Sequence, residues 1–236
     1  MPESEQVKSE IKRRPVRSFV RREGRATAAQ KQAMQTLWPV YGFEPAACGE
    51  LDFQALFGRD APLVLEIGYG DGEALVDTAA LEPGVNFIGA EVYTPGIGHC
   101  LIRIEQQVLS NIRLCQADAI ELLNKNIPDA ALSEIRLFFP DPWPKKKHHK
   151  RRIVNDSFTQ LISRKLKIGG RIHFATDWAP YAEWAMDVFE ACPTLENMAG
   201  ARQYTPRPDS RTLTKFERRG QRLGQASQDL IYRTIP

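Results

Sequence analysis

The stretch Glu66-Ile67-Gly68-Tyr69-Gly70-Asp71-Gly72 joins an apolar run to an amphipathic one. Glycines in such a place let the backbone turn sharply and bring its amides close to a ligand at a helix N-terminus. Nineteen residues after Gly72, Glu91 closes the next apolar run. That spacing suits a carboxylate accepting hydrogen bonds from two ribose hydroxyls. These features fit any adenosine cofactor, and the glycines by themselves also fit a plain strand–helix turn. Two details favour S-adenosylmethionine over a nicotinamide dinucleotide. The glycines are spaced GxGxG rather than GxGxxG, and Glu66 precedes them, where a cationic amino-acid tail finds a partner.

Three further acids close apolar runs. Asp118 is placed either to cap the following helix or to meet an adenine amino group. Asp141 lies in Phe138-Phe139-Pro140-Asp141-Pro142-Trp143-Pro144, where three prolines fix φ around an acid and an indole. A rigid acid suits a base edge and an indole suits a base face. The run Lys145–Arg152, KKKHHKRR, follows with six cations and no acid. It lies where the phosphates of a nucleic acid would pass. Asp177, in His173-Phe174-Ala175-Thr176-Asp177-Trp178, reads by spacing as a helix N-cap rather than a ligand.

Positioning these groups requires strands that end side by side. From Leu63 onward, apolar runs alternate with amphipathic ones. Strands are expected at 63–67, 86–92, 111–118, 134–141, 171–177 and 229–235. Helices are expected at 73–81, 96–109, 119–125, 154–167 (stopped by Gly169-Gly170) and 180–192. That alternation implies a doubly wound, mostly parallel sheet in which ligands bind beyond the carboxyl ends of the strands. Residues 1–40 read as a mobile basic arm, with a short helix near 26–37, and 41–236 as the α/β domain.

The net charge of +3 conceals a segregation. Residues 1–31, 145–152 and 202–222 are strongly basic and the rest of the chain is acidic. Basic segments on an acidic body suggest a polyanionic partner met at chosen places. Cys48, Cys100, Cys115 and Cys192 are scattered, with no CxxC pair. They read as reduced thiols of a cytoplasmic protein, not as a disulfide frame or a metal site. No apolar run is long enough for a membrane span, and the first residues lack the apolar core of a secretory signal.

The EIGxGxG turn, PDPWPKKKHHKRR, ATDW and TKFERRG together resemble the bacterial tRNA (guanine-N7)-methyltransferase family, and RSFVRREGR resembles its N-terminal arm. The resemblance covers essentially the whole chain. It implies a Rossmann-like methyltransferase sheet with an antiparallel last strand. It also implies transfer of a methyl group from S-adenosylmethionine to guanosine 46 in the tRNA variable loop. By position, Glu66, Glu91, Asp118 and Asp141 match the family's cofactor-binding acids, with Gly68 and Gly70 between them, and Asp141 its catalytic residue. Lys145, Asp177 and Thr214, Lys215, Phe216 and Glu217 match substrate-binding positions. Lys147, His148, His149, Lys150, Arg151 and Arg152 match the RNA-contacting run. The partner implied is tRNA, with no membrane and no obligate protein partner. Two other readings stay open on the residues alone. One is an amino-group methyltransferase acting on adenine or protein, because Asp141-Pro142-Trp143 resembles the motif of those enzymes. The other is a non-catalytic RNA-binding protein on a methyltransferase fold.

Overall fold

The run Leu63–Ile67 forms a strand buried along its whole length, and the sheet is assembled around it. The computed structural model describes residues 18–19, 24–45, 49–209, 211–214, 217–218 and 226–236. Its elements are α1 (Ala28–Thr36), α2 (Trp38–Tyr41), β1 (Gly42–Phe43), α3 (Phe53–Phe57), β2 (Leu63–Ile67), α4 (Glu73–Leu81), β3 (Asn86–Glu91), α5 (Thr94–Gln106), β4 (Ile112–Gln116), α6 (Ala119–Lys125), β5 (Leu132–Phe138), a 3-10 turn (Lys146–Arg151), α7 (Asp156–Lys165), β6 (Leu166–Thr176), α8 (Ala179–Glu190), β7 (Leu195–Asn197) and β8 (Gln228–Thr234). The strands lie in the order β1-β4-β3-β2-β5-β6-β8-β7. β8 runs antiparallel to both its neighbours, and the other pairings are parallel. From β2 the chain winds outward through β3 to β4, then returns to add β5 on the other side. The reversal leaves a crevice beyond the carboxyl ends of β2 and β5, the usual ligand position in such sheets.

Side-chain alternation along the strands separates two apolar layers. Leu63, Leu65, Ile135, Leu137, Ile172 and Phe174 face α6, α7 and α8. Val64, Phe87, Ile112 and Leu114 face α1, α4 and α5. On that second face the β5–β6–β8 half carries charge instead. Glu134, Arg136, His173 and Asp229 are all buried there, and Arg171 bonds Glu134 at 2.7 Å.

Several boundaries differ from the sequence expectations. α7 ends at Lys165 rather than 167, and β6 begins at Leu166 rather than 171, because Leu166 pairs with Leu132 across a register shift. β1 and β7, of two and three residues, are too short to leave a periodic trace. α1 is closed by a reciprocal Thr27–Gln30 capping box. It packs so closely on α5 that a Cβ on Gly98 would lie 2.8 Å from the Gln30 carbonyl oxygen. Ala33 and Leu37 belong to the core. The packed structure therefore reaches back to residue 28, and the arm boundary drawn at residue 40 falls inside it. The expected N-terminal arm otherwise lies mostly outside the described residues. Cys100, Cys115 and Cys192 are free and buried, and burial pushes the Cys115 thiol up to about 12. Among the described residues no helix is long and apolar enough to cross a membrane.

Val108, just past α5, has φ 51° and is 85% exposed. A β-branched side chain in the left-handed region is strained, and here no packing offsets it. Val108→Gly is expected to raise stability by about 0.5–1 kcal/mol, the left-handed strain less glycine's extra unfolded-state entropy. Urea denaturation checks this, and a lower midpoint for the variant would refute it.

Candidate active site

A cavity of about 250 Å³ opens at the carboxyl ends of β2, β3, β4 and β5. Gly68, Gly70, Glu91, Asp118 and Asp141 all line it. Gly68 and Gly70 have φ of 71° and 61°, and a Cβ on either would meet nothing within 4 Å. The turn therefore presents bare backbone to open space, a cradle of the kind a cofactor fills. Glu91 holds that cradle in place. Its Oε2 accepts from the Gly70 amide at 2.9 Å, and its Oε1 accepts from the Val92 and Tyr93 amides at 2.6 and 3.0 Å. Asp118 caps α6, its Oδ1 accepting from the Ile120 amide at 3.0 Å, while still bordering the cavity.

Glu66 does not line the cavity. It lies beneath the glycine turn, 3% exposed, with Oε2 lacking a hydrogen-bond partner. Burial pushes its carboxyl up to about 7; Arg136 pulls it down and Glu134 raises it. Glu66 thus underlies the cradle, with one carboxylate oxygen left over.

Asp141 stands at the cavity rim on a turn of unusual backbone. Phe139 and Trp143, two residues to either side, have φ of 50° and 45°. Non-glycine residues held in this region persist only where surroundings over-determine them. Here the Phe139 amide donates to the Ala175 carbonyl at 2.8 Å. The Trp143 indole N–H donates to the Ser18 carbonyl at 3.1 Å, and the Arg151 guanidinium stacks 4.7 Å from its ring centroid. The indole thus pins residue 18 to the Asp141 turn, and Ser18 and Phe19 complete the cavity wall.

The basic run divides by exposure. Lys145, Lys146, Lys147 and Lys150 are exposed, whereas His148, His149 and Arg151 are half-buried. Partial burial, then the Lys147 and Arg151 charges, hold the His148 imidazole below its ordinary pKa, so it is neutral at pH 7. Arg152 sits differently from its neighbours in the run. It is 3% exposed, its guanidinium lies against the Tyr181 and Trp184 rings, and its Nε donates to the Pro142 carbonyl at 2.9 Å. Its charge braces the Asp141 turn from inside.

Asp177 is not the N-cap of α8. Trp178 occupies that position, its amide donating to Thr176 Oγ1 at 3.2 Å, and Asp177 is half-buried at the end of β6. Lys215 and Phe216 lie outside the described residues. Thr214 and Glu217 bond reciprocally, as in a capping box. The Glu217 amide donates to Thr214 Oγ1 at 3.2 Å, and the Thr214 amide to Glu217 Oε2 at 3.1 Å. Glu217 is only 2% exposed, because Arg211 donates to both its oxygens at 2.6 Å. It anchors this segment from within.

Arg211 is the residue that sequence reasoning missed. It also donates to Asp229 Oδ2 at 2.9 Å, while His173 Nε2 lies 2.7 Å from Asp229 Oδ1. Its guanidinium carbon sits 5.6 and 5.7 Å from the ring centroids of Phe138 and Phe139. One side chain therefore ties Glu217, the β6–β8 pair and the residues leading into Asp141.

A glycine cradle at the switch point and an acid at the next strand end suit an adenosine cofactor, and the comparisons with known proteins fix the class as an S-adenosylmethionine-dependent methyltransferase. The methyltransferase family model Methyltransf_4 matches residues 60–230. Among solved structures, the 16S rRNA methyltransferase KamB aligns with a TM-score of 0.53 at 15% identity, over 80% of this chain and 96% of that one. TrmN from Thermus thermophilus aligns with a TM-score of 0.52 at 17% identity, over 77% and 47%. At such identities these likenesses speak for the fold alone. A tRNA (guanine-N(7)-)-methyltransferase of Halorhodospira halophila is 51% identical over 223 residues, 94% of this chain and 96% of that one. The protein of the same name from Alcanivorax borkumensis is 53% identical over 219 residues, 93% and 91%. The chain belongs to the tRNA (guanine-N7)-methyltransferase family.

Two predictions follow from the cavity. Glu91→Ala removes the anchor of the Gly70 amide, and should weaken S-adenosylmethionine binding by about 1.5–3 kcal/mol, the usual range for charge-assisted hydrogen bonds. Calorimetry showing unchanged affinity would remove Glu91 from the site. Glu66 should shape stability against pH. Its carboxyl rises from an ordinary 4.5 to about 7 on folding, so the folded state holds the proton more tightly. The contribution is full below pH 4.5 and is lost as pH climbs through about 7, a change on the order of 3 kcal/mol. Glu66→Gln should flatten that slope in urea titrations between pH 5 and 8; parallel curves for both proteins would contradict the assignment.

Proposed function

We propose that this protein transfers a methyl group from S-adenosylmethionine to N7 of guanosine 46 in the variable loop of tRNA, in the cytoplasm. The observation that carries the reading is Asp141. It is the acid that borders the cofactor cavity on a turn fixed by two left-handed residues, with the exposed lysines of 145–150 immediately after it. The names of the 51–53% identical relatives support guanine N7 over an exocyclic amine.

The bound cofactor supplies a methyl group made electrophilic by its sulfonium. Glycines 68 and 70 and the end of β3 would hold it, the bare backbone of the turn making room for its amino-acid end and Glu91 Oε2, which accepts one hydrogen bond from the described residues, taking a second from the ribose. Asp118 serves the adenine end. N7 of guanine carries an in-plane lone pair and no proton. Its lone pair would take up the methyl group that a bound S-adenosylmethionine supplies, leaving positive charge on the purine ring. No base is required, so orientation and charge are what the protein contributes. The Asp141 carboxylate accepts hydrogen bonds from the guanine edge or the cofactor amine, and its charge offsets the cation that develops on the ring.

Lys145, Asp177 and Thr214, with Lys215 and Phe216, are proposed to receive the target nucleoside. Lys147, His148, His149, Lys150 and Arg151 are proposed to meet tRNA phosphates. Arg152 and Glu217 hold those groups in place from within.

Asp141→Asn keeps an acceptor oxygen and loses the charge; Asp141→Ala loses both. Losing one well-aimed electrostatic contact typically costs about 10²–10³ in rate. Single-turnover rates at saturating tRNA and cofactor should fall by that order for Asn and further for Ala, with tRNA binding retained. Turnover of Asp141→Ala at the wild-type rate would sink the role and shift attention to Asp177.

A further inference from the structure

Beside the cofactor cavity lies a groove of about 450 Å³ between α6 and α7, to which no role has been given. Its volume falls in the range of about 300–1,000 Å³ that suits a bound small group. The groove is continuous with the cavity, since Ser18, Asp118 and Ile153 border both. Its floor is apolar, made by Ile153, Phe158 and Leu161. Its walls are polar and exposed: Asn124 on α6, and Ser157, Gln160 and Arg164 on one face of α7. Lys150 and Arg151 close the end nearest the Asp141 turn.

Its charge is mainly positive. Asp129, which lies close enough to Arg164 to feel its charge, is taken by Lys165 at 2.7 Å. Asp118 is engaged as the cap of α6. Glu121 makes only a long, exposed contact with Lys125, at 3.9 Å. An apolar floor suits the face of a base or sugar, side-chain amides suit a base edge, and flanking cations suit phosphates.

We propose that this groove takes a nucleotide of the same RNA strand, next to the guanosine being methylated. The inference rests on the tRNA methylation proposed above and adds where the strand runs: past Lys150 and Arg151, then along α7 toward Arg164. α7 thereby becomes part of the RNA-binding surface, which a reading confined to the basic run does not include.

Charge exchange in both directions tests it on the full-length protein. Arg164→Glu should lower affinity for unmodified tRNA about tenfold near 50 mM salt and reduce the log–log salt slope by about 1 to 2. Glu121→Lys, on the opposite wall, should raise affinity and steepen the slope. Both residues are exposed, and S-adenosylmethionine affinity measured by calorimetry should not change in either variant. Gln160→Ala, with no change of charge, should raise the half-saturating tRNA concentration several-fold and leave the slope alone. Wild-type affinity and slope in both charge variants would overturn the groove. A wild-type protein that leaves tRNA unmethylated would instead overturn the reading beneath it.

Discussion

Arg211 holds two buried carboxylates at once, and much of the site's geometry hangs on that guanidinium. Glu217 accepts both of its terminal nitrogens, Asp229 accepts one, and the Phe138 and Phe139 rings lie against its face. A buried charge pair is weak evidence for stability in itself, because desolvation opposes the Coulomb gain. Its effect is specificity of arrangement. With Arg211 in place, the segment around Thr214 can seat on the sheet only where both acids are met. Take one partner away and an uncompensated buried charge remains, at a cost of about 3–5 kcal/mol. The same cation presses on the residues that lead into the Asp141 turn, so the far end of the chain and the proposed catalytic acid share a support.

The cofactor end is held differently. The backbone of the glycine turn is tied down there, and Glu91 is the keystone because three amides converge on one carboxylate. The closure between residue 18 and the turn includes the indole hydrogen bond, backed by the Arg151 stack. Arg152 and Arg151 are neighbours in sequence with opposite duties: one is drawn inward by Tyr181 and Trp184, the other lies on the outer face of Trp143.

What the sequence revealed follows from which signals are local. The glycine spacing, the acid ending β3 and the proline-bound Asp141 are each set within a few residues, and each lines the cavity. Arg211 was invisible because it sits in RPDSRTLTKFERRG, where every cation looks alike until the sheet supplies Asp229. A fainter signal was available. Glu134-Ile135-Arg136-Leu137, Arg171-Ile172-His173-Phe174 and Asp229-Leu230 alternate charged and apolar residues, the mark of a sheet half with one polar face. The spacing Thr214-x-x-Glu217 likewise announced a capping box, but not the burial of its glutamate. Exposure within KKKHHKRR depended on aromatic rings from α8, 29 and 32 residues after Arg152, which no local pattern contains.

The insertion of β8 between β6 and β7 bears on biosynthesis. β6 is the longest strand of the described sheet, yet one of its edges stays open until residues 228–234 have been made. A ribosome that has delivered β2 to β6 has built the cofactor crevice but exposes a long unpaired edge beside it. Such edges are templates for pairing with other chains. A chain held at that stage is primed to aggregate, so quality control has to act before β8 is in place.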